Sequence, residues 1–263
     1  MAAKRPKKNK FVKAWLNDHL NDPWVREATR RGYRSRAAFK LLELAERDAL
    51  FRPGMSVVDL GAAPGSWTQV LREKLGPRAR IVALDLLDMV PLPGVIRLQG
   101  DFRDEAVMAA LEAALEGRKV DLVVSDLAPN LSGIESADQA RAVHLGELAL
   151  EFAARWLEPG GDLVVKAFQG TGFAEFQREL QQYFAKVYVR KPKASRDRSR
   201  EVFFVAKGRQ NPHSGGFDDG SGASETPNAP KSGSVRHEGL KSTSRRIRPR
   251  RRGVTKETGR GGP

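Results

Sequence analysis

The fold is decided by the stretch Val57-Val58-Asp59-Leu60-Gly61-Ala62-Ala63-Pro64-Gly65-Ser66-Trp67. A short β-branched run ends at an acid, a turn of Gly, Ala and Pro follows, and residues 66–75 then have a helical pattern. A strand, a glycine-containing turn and a helix form the first unit of a nucleotide-binding α/β sheet. The stretch therefore predicts a site for an adenosine-containing cofactor at this turn.

Strands and helices alternate through the rest of the central region, which is typical of a doubly wound, mainly parallel sheet. The predicted strands cover residues 56–60, 80–86, 95–99, 120–125, 162–168, 186–190 and 201–206, and the predicted helices residues 66–75, 104–116, 138–157 and 173–183. Only a polar loop joins the last two strands, which predicts an antiparallel pair at the sheet edge. We therefore expect an α/β, Rossmann-like fold with seven strands.

Three helices are predicted before the sheet, over residues 11–20, 23–31 and 35–47. Pro23 follows Asp22 as a first-turn proline after a capping acid, and Ser35 is the candidate cap of the third helix. Five arginines are dense here, and we interpret them as a ledge that contacts RNA phosphates rather than as a solvated helix face. They are Arg26, Arg30, Arg31, Arg34 and Arg36.

The positive charge lies at the two ends of the chain. The 263 residues carry a net charge of +14, with +6 in residues 1–13 and +7 in residues 209–263, so a polyanionic partner is expected. We predict a basic disordered arm (1–10), one domain (11–208, with RNA-facing helices in 11–50) and a basic disordered tail (209–263). The tail is either a solubilising extension or a nonspecific RNA tether.

Composition excludes several classes of site. The chain has no cysteine, so disulfides, thiolate zinc sites, iron–sulfur clusters and cysteine nucleophiles are excluded. Its four histidines show no ligand spacing, and no metal site is expected. No apolar run approaches the length of a membrane span or of a signal-peptide core. A cytoplasmic protein is therefore expected.

The residues of the turn and the acids that follow it narrow the choice of cofactor. Ala63 stands where a pyrophosphate cradle needs a glycine, and Pro64 removes an amide donor. Asp59, Asp85 and Asp101 end three successive strands, where carboxylates can accept hydrogen bonds from an adenosine. These features favour S-adenosylmethionine over a nicotinamide dinucleotide.

Two further residues near strand ends are candidates for chemistry. Asp126 follows the apolar fourth strand, at the edge where open α/β sheets bind their ligands. Lys166 lies in the apolar run of the fifth strand, where it is either an outward-facing side chain or, if buried among other charges, a candidate base.

Five motifs together resemble the FtsJ/RrmJ (RlmE) family of S-adenosylmethionine-dependent ribose 2′-O-methyltransferases, over residues 11–208. The resemblance implies a catalytic set of Lys40, Asp126, Lys166 and Glu201. It also implies cofactor contacts at Gly65, Trp67, Asp85, Asp101 and Asp126, beside Gly61 and Asp59 of the turn. Ser66 stands where family members often have glycine. The motifs are Asp59-Leu-Gly-Ala-Ala-Pro-Gly65-Ser-Trp67, Leu98-Gln-Gly-Asp101-Phe-Arg-Asp104, Ser125-Asp126-Leu-Ala-Pro-Asn130, Val165-Lys166-Ala-Phe-Gln-Gly170 and Ser195-Arg-Asp-Arg-Ser-Arg-Glu201-Val.

The resemblance further implies that a monomer methylates a uridine ribose in the peptidyl-transferase region of 23S ribosomal RNA, within the large subunit. Lys166 would take or steer the 2′-OH proton and Asp126 would orient it, while Lys40 and Glu201 set its charge state and hold the ribose. A transfer-RNA methyltransferase, a noncatalytic ribosome-assembly factor and a nicotinamide dehydrogenase stay open as alternatives. Cysteine-dependent pyrimidine methylation is excluded. Methylation of base amino groups is disfavoured, because such enzymes would favour an aromatic residue at the position of Asn130.

Overall fold

The computed structural model describes residues 21–130, 132–196 and 199–210. The predicted arm (1–10), the helix predicted over 11–20 and all but the first two residues of the predicted tail lie outside these ranges. The chain divides into two units, residues 1–216 and 217–263, and only the first contains described residues.

Seven strands and six helices are formed within these ranges. The strands are β1 (Ser56–Leu60), β2 (Arg80–Asp85), β3 (Val95–Gln99), β4 (Val120–Ser125), β5 (Leu157–Phe168), β6 (Phe184–Arg190) and β7 (Glu201–Arg209). The helices are α1 (Pro23–Arg31), α2 (Ala37–Asp48), α3 (Ser66–Leu75), α4 (Glu105–Leu115), α5 (Glu135–Trp156) and α6 (Phe173–Tyr183). None of these helices is long and apolar enough to cross a membrane.

All seven strands belong to one sheet, in the order β3-β2-β1-β4-β5-β7-β6. The first five strands in this order are parallel, and β7 is antiparallel to both β5 and β6. The predicted α/β class, the seven strands and the antiparallel edge pair are therefore confirmed.

Both faces of the sheet are covered by helices, because successive side chains of a strand point to opposite faces. Val57 and Val164 pack with the apolar residues of α2 and α3 on one face. Val58 and Val165 pack with those of α4, α5 and α6 on the other face. Because helices cover both faces of the sheet, a ligand site is expected at the carboxyl edge of the parallel strands.

Several element boundaries differ from the sequence prediction, among them the starts of β5 and α5. β5 begins at Leu157 rather than at residue 162, since Leu157 already pairs with Val120 before residues 158–161 shift the register. α5 begins three residues earlier than predicted, because the Asp138 carboxylate reaches back to the amides of Ser132 and Gly133 and completes an extra turn.

Asp22 caps α1 as predicted, whereas the N-cap residue of α2 is Arg36, one residue after the predicted Ser35. Asp22 Oδ1 accepts a hydrogen bond from the Trp24 amide at 2.9 Å, and Gly32 ends α1 at a φ of 74°. Ser35 Oγ accepts from the Ala37 amide at 3.2 Å at the start of α2. The helices that precede the sheet are thereby fixed at their termini, next to the carboxyl edge.

Candidate active site

Strand alternation brings the predicted catalytic residues to one face of the sheet. Lys166 is two residues after Val164 in β5, so it faces α2 as Val164 does. Phe203 packs on this face from β7, and Glu201, two residues before it, lies on the same side. Lys40 lies on α2, which packs on the same face of the sheet. The Lys40 ammonium lies 5.5 Å from the centre of the Phe203 ring.

The four charged groups of this cluster form a continuous chain of contacts. Lys40 Nζ lies 2.6 Å from Glu201 Oε1, and Lys166 Nζ lies 3.9 Å from Glu201 Oε2. Lys166 Nζ also lies 2.7 Å from Asp126 Oδ1. The side chains of all four are at most 17% exposed. We call Lys40, Asp126, Lys166 and Glu201 the tetrad.

Asp126 holds Lys166 in two ways. Its main-chain oxygen accepts a hydrogen bond from Lys166 Nζ at 2.9 Å. The 2.7 Å contact to Oδ1 is an ion pair whose angles are not those of a hydrogen bond. The carboxylate therefore neutralises the ammonium while keeping capacity to accept a hydrogen bond from another group.

Glu201 stays ionised although it is largely buried. Burial raises the pKa of its carboxyl, but the charges of Lys40 and Lys166 and hydrogen bonds from Lys40 and Ser195 outweigh it, so that the pKa is lowered. Ser195 Oγ donates to Glu201 Oε1 at 2.9 Å, the same oxygen that Lys40 binds. With two lysines and two carboxylates, the tetrad is balanced in charge when all four groups are ionised.

A cavity of about 600 Å³ opens beside the tetrad, at the carboxyl ends of β1, β2, β3 and β4. Its polar lining includes Asp85, Asp101 and Asp126, and Gly61 lies in its wall. Leu86, Leu87 and Phe102 supply apolar surface. The volume lies within the usual range of small-molecule sites, about 300–1,000 Å³. Four of the seven predicted cofactor residues thus line one cavity.

Asp85 and Gly61 shape the floor of this cavity. Asp85 Oδ2 accepts from the Ala63 amide at 2.9 Å, and Oδ1 accepts from the Leu87 amide at 2.7 Å. Each oxygen keeps a second lone pair, so the carboxylate can also accept from ligand hydroxyls. A Cβ at Gly61 would lie 2.8 Å from the Leu127 amide, so glycine allows the ends of β1 and β4 to approach.

The Asp101 carboxylate is bound by Arg103, a residue to which the sequence analysis gave no role. The side chain of Arg103 donates from Nη2 at 2.6 Å and from Nε at 3.0 Å, and its amide donates at 3.0 Å. These hydrogen bonds lower the pKa of Asp101 to about 2. Arg103 also lines the cavity, so a ligand at Asp101 would share this carboxylate with a cation or displace it.

Three of the predicted cofactor residues do not line the cavity. Trp67 is buried against Phe203, and its Nε1 donates to the Ala37 carbonyl at 2.8 Å. Gly65 caps α3 with a φ of 101°. Asp59 is fully buried below the turn. The side chains of Trp67 and Asp59 are structural in this geometry, and only the amides of the first turn of α3 remain as donors.

Asp59 is a buried acid whose hydrogen bonds come from Thr68. Thr68 Oγ1 donates to Asp59 Oδ2 at 2.6 Å, whereas Oδ1 has no partner among the described residues. Burial raises the pKa of Asp59 to about 7, and the charges of Asp126 and Asp85 act in the same direction against the hydrogen bond from Thr68. Asp59 is therefore protonated in a substantial fraction of the molecules at neutral pH.

The predicted arginine ledge divides into exposed and structural members. Arg30 and Arg31 both bind Glu27 at 2.6 Å and remain 69% and 52% exposed. Arg36 is instead bound to Asp22 at 2.7 Å, with only 20% of its side chain exposed. A role in phosphate contact stays a prediction for the exposed members, while Arg36 has a structural partner.

Arg34 joins turns that are distant in sequence. Its guanidinium donates to the carbonyls of Pro64 at 2.9 Å and Pro91 at 3.3 Å, and its amide donates to Gln69 Oε1 at 3.1 Å. A Cβ at Gly65 would lie 2.2 Å from Arg34 Nη1, so this glycine makes room for the guanidinium. Arg34 thus supports the turn before α3 rather than a free phosphate surface.

Sequence reasoning missed Ser195 and Arg103. Ser195 begins the fifth motif and Arg103 lies within the second, but neither residue was given a role there. The neighbour of Ser195, Ala194, is an apolar residue that is buried against Ala28 and Phe39. Within the described ranges, no three His, Asp or Glu side chains are grouped so that they could hold a metal ion.

Comparison with known proteins identifies relatives of this arrangement. A family model described as FtsJ-like methyltransferase matches residues 33–209, which contain all four tetrad residues. The chain is 58% identical over 199 residues to the Ribosomal RNA large subunit methyltransferase E of Azoarcus sp. (strain BH72), covering 76% of this chain and 97% of that relative. It is 54% identical to the protein of the same name from Methylobacillus flagellatus, covering 78% and 99%.

A solved structure shares the fold. It is described as a ribosomal RNA methyltransferase from Plasmodium falciparum, and it is 29% identical with a TM-score of 0.60. The match covers 67% of this chain and 98% of that one. These similarities confirm the resemblance that the five motifs indicated.

Proposed function

The chain belongs to the FtsJ-like methyltransferase family, and from this premise we propose that it methylates a ribose 2′-hydroxyl of large-subunit ribosomal RNA with S-adenosylmethionine as donor. The acceptor that we propose is a uridine of 23S RNA, modified within the large subunit in the cytoplasm. The observation that carries the proposal is the assembly of the tetrad beside a cavity with three carboxylates.

The cavity fits this methyl donor. S-adenosylmethionine carries a sulfonium and an ammonium, and the lining contains Asp85, Asp101 and Asp126. Opposite charges at close range stabilise such a cation, whereas a dinucleotide would bring a pyrophosphate against the same carboxylates. Asp85 can accept hydrogen bonds from ribose hydroxyls. Asp101 would accept from the adenine amino group.

The tetrad residues act on the acceptor ribose. When bound, S-adenosylmethionine supplies an electrophilic methyl group on its sulfonium. Lys166 takes the proton of the 2′-hydroxyl when its amine is neutral, or steers that proton as the ammonium, and Asp126 orients Lys166 through its carbonyl and carboxylate. Lys40 and Glu201 set the charge state of Lys166 and hold the ribose. Most of the rate enhancement then comes from positioning, because a ribose hydroxyl is a poor nucleophile.

Burial strengthens these interactions. The side chains of Lys40 and Lys166 are each 8% exposed. Charges that are removed from water interact more strongly, and their geometry needs no rearrangement at the moment of reaction. This arrangement favours an enzyme over a noncatalytic assembly factor that only keeps the fold.

The central test is Lys166→Ala, with Lys186→Ala as the matched control, since Lys186 is an exposed lysine of β6. We expect Lys166→Ala to abolish methyl transfer to large subunits that were prepared from cells lacking this protein. Calorimetry should show that the same variant still binds S-adenosylmethionine, because Lys166 does not line the cavity. Lys186→Ala should behave as the unmodified protein in both assays, and turnover at the normal rate by Lys166→Ala would refute its role.

Mapping of ribose methylation in total RNA, with and without the protein, identifies the substrate. A single 2′-O-methyl group that disappears from 23S RNA supports the proposal. Loss from a transfer RNA would replace it with the alternative substrate, and binding of NAD without binding of S-adenosylmethionine would support a dehydrogenase.

A further inference from the structure

A second pocket, of about 340 Å³, is lined by residues that are close in sequence to three members of the tetrad. These residues lie at or next to the ends of β4, β5 and β7. Pro129 is three residues after Asp126, Phe168 is two residues after Lys166, and Arg200 immediately precedes Glu201. The pocket is therefore built on the same strand ends as the catalytic cluster.

This pocket and the larger cavity adjoin each other. Pro129 lines both, while Asp126 lines only the larger one. Because residues next to Asp126 and Lys166 line these two cavities, a ribose held at Lys166 would have both of them nearby. A nucleotide has one substituent that is flat and partly apolar, which is its base.

The lining suits a base. Phe168, Ala142 and Pro129 contribute apolar surface, and Gln139 contributes a primary amide that is only 9% exposed. Arg200 and Glu135 form an ion pair of 2.6 Å at the rim, where both side chains are more than half exposed. The inner part of the pocket thus carries no unpaired charge among the described residues.

Gln139 has one orientation. Its Nε2 donates to the carbonyls of Phe168 and Thr171, each at 3.0 Å. Two carbonyl partners fix the nitrogen on that side, so Oε1 is left as an acceptor without a donor among the described residues. A Cβ at Gly170 would lie 3.2 Å from Oε1, so this glycine leaves room for the amide.

We propose that this second pocket binds the base of the nucleotide whose ribose is methylated, and that Gln139 Oε1 accepts a hydrogen bond from the N3–H of that base. Uracil offers its N3–H, whereas the N3 of cytosine has no hydrogen. Holding the base fixes the ribose against Lys166, which is the positioning that this reaction needs. The inference rests on the proposed methylation of RNA and deepens it.

Photocrosslinking of the unmodified protein tests the occupant directly. The probe is large-subunit RNA, reconstituted into subunits, with 4-thiouridine at the position that the mapping experiment identifies. We expect crosslinked peptides from residues 129–142 or 168–171. Methylation of this probe with crosslinks confined to other peptides would overturn the proposal, and this includes crosslinks to the larger cavity alone.

A pair of matched variants tests the pocket by filling it. Ala142 lines the pocket from α5, and Ala140 is exposed two residues earlier on the same helix. We expect Ala142→Leu to lower kcat/KM for the subunit at least tenfold and to leave the dissociation constant of S-adenosylmethionine unchanged. Ala140→Leu should change neither quantity. Normal kcat/KM for a folded Ala142→Leu variant would contradict the proposal, and the crosslinking experiment decides if that variant does not fold.

Base replacement separates this inference from the proposed function. With cytidine at the target position, the unmodified protein should lose at least tenfold in kcat/KM, because cytosine offers no N3–H to Gln139. Equal rates on uridine and cytidine would refute the role of Gln139 while leaving ribose methylation intact. Absence of any methyl transfer to the uridine ribose would instead refute the proposed function.

Discussion

Glu201 Oε1 accepts hydrogen bonds from two groups at once, the ammonium of Lys40 and the hydroxyl of Ser195. Ser195 is 5% exposed and touches no other tetrad side chain in the described contacts, so it acts through Glu201. A hydrogen bond to a buried charged group contributes about 1.5–3 kcal/mol. Ser195 is therefore a positioning residue for the carboxylate that faces both lysines.

Ser195→Ala should lower kcat by about tenfold or more, because each 1.4 kcal/mol corresponds to a factor of ten. The hydroxyl contributes to the lowered pKa of Glu201, so its removal should shift the acid limb of the pH–rate profile to higher pH. Ser195→Thr, which keeps a hydroxyl, should restore the profile. A variant with reduced kcat and an unmoved acid limb would show that Ser195 only supports the loop.

The raised pKa of Asp59 affects the stability of the folded protein rather than the reaction. Its pKa is about 7 in the folded protein, mainly because it is buried, against an ordinary value of 3.8. Between these pH values the folded chain keeps a proton that the unfolded chain has lost. Stability therefore falls as pH rises from about 4 to about 7, and the loss is complete above the folded pKa. At about 1.4 kcal/mol per unit, the full effect is on the order of 4 kcal/mol.

Asp59→Asn should remove this pH dependence while Thr68 keeps an oxygen to bind. Urea unfolding midpoints at pH 5, 6, 7 and 8, at constant ionic strength, should fall less steeply with pH for the variant than for the unmodified protein. Parallel curves for the two proteins would mean that Asp59 ionises normally in the folded state.

Some of these residue roles were predictable and others were not. Asp126 and Lys166 could be found because their positions near the ends of apolar strands determine their place in the fold. Lys40 and Glu201 were found through the resemblance, since 161 positions separate them and periodicity carries no information over that distance. Ser195 gave no such signal, because the partner of a loop hydroxyl depends on how the loop packs.

At the scale of elements, the sequence predicted the strands well and their ends less well. β1, β3 and β4 have the predicted bounds, because β-branched runs are closed by turn residues on both sides. The start of β5 was wrong, since Leu157 pairs before a Pro-Gly-Gly segment that is typical of a turn. The order of the strands depends on pairing between segments far apart, which only the folded chain reveals.

The contacts of Arg34 show that the arrangement of connecting segments is also difficult to predict from the sequence. The turn at Pro64 and the turn at Pro91 are each recognisable in the sequence, but no local pattern indicates that one guanidinium binds both. Tertiary hydrogen bonds of this kind determine how the turns around the cavity are held together.

At the scale of the whole molecule, charge is concentrated outside the sheet domain. Residues 211–263 contain 11 Lys or Arg and 5 Asp or Glu, whereas residues 14–208 have a net charge of about +1. A segment that contacts phosphates releases counterions, so it makes RNA binding more sensitive to salt. The predicted tail is therefore expected to tether RNA without choosing the methylated nucleotide.

A chain that ends at Gln210 tests this expectation, because β7 ends at Arg209 and every described strand is kept. We expect it to methylate the same nucleotide and to unfold at the same temperature as the full chain. Its plot of log affinity for RNA against log salt concentration should be less steep, by about 0.7 for each phosphate contact that is lost. An unchanged slope would leave the tail with a solubilising role only.

The position of β7 in the sheet also determines when the tetrad can form during synthesis of the chain. This last strand inserts between β5 and β6 and brings Glu201 to Lys40, so the earliest and the latest parts of the domain meet at the tetrad. A nascent chain can form the parallel strands as they emerge, but it has no complete tetrad until β7 has left the ribosome. Under the proposed function, the enzyme thus becomes active on ribosomal RNA only after the ribosome that makes it has finished the domain.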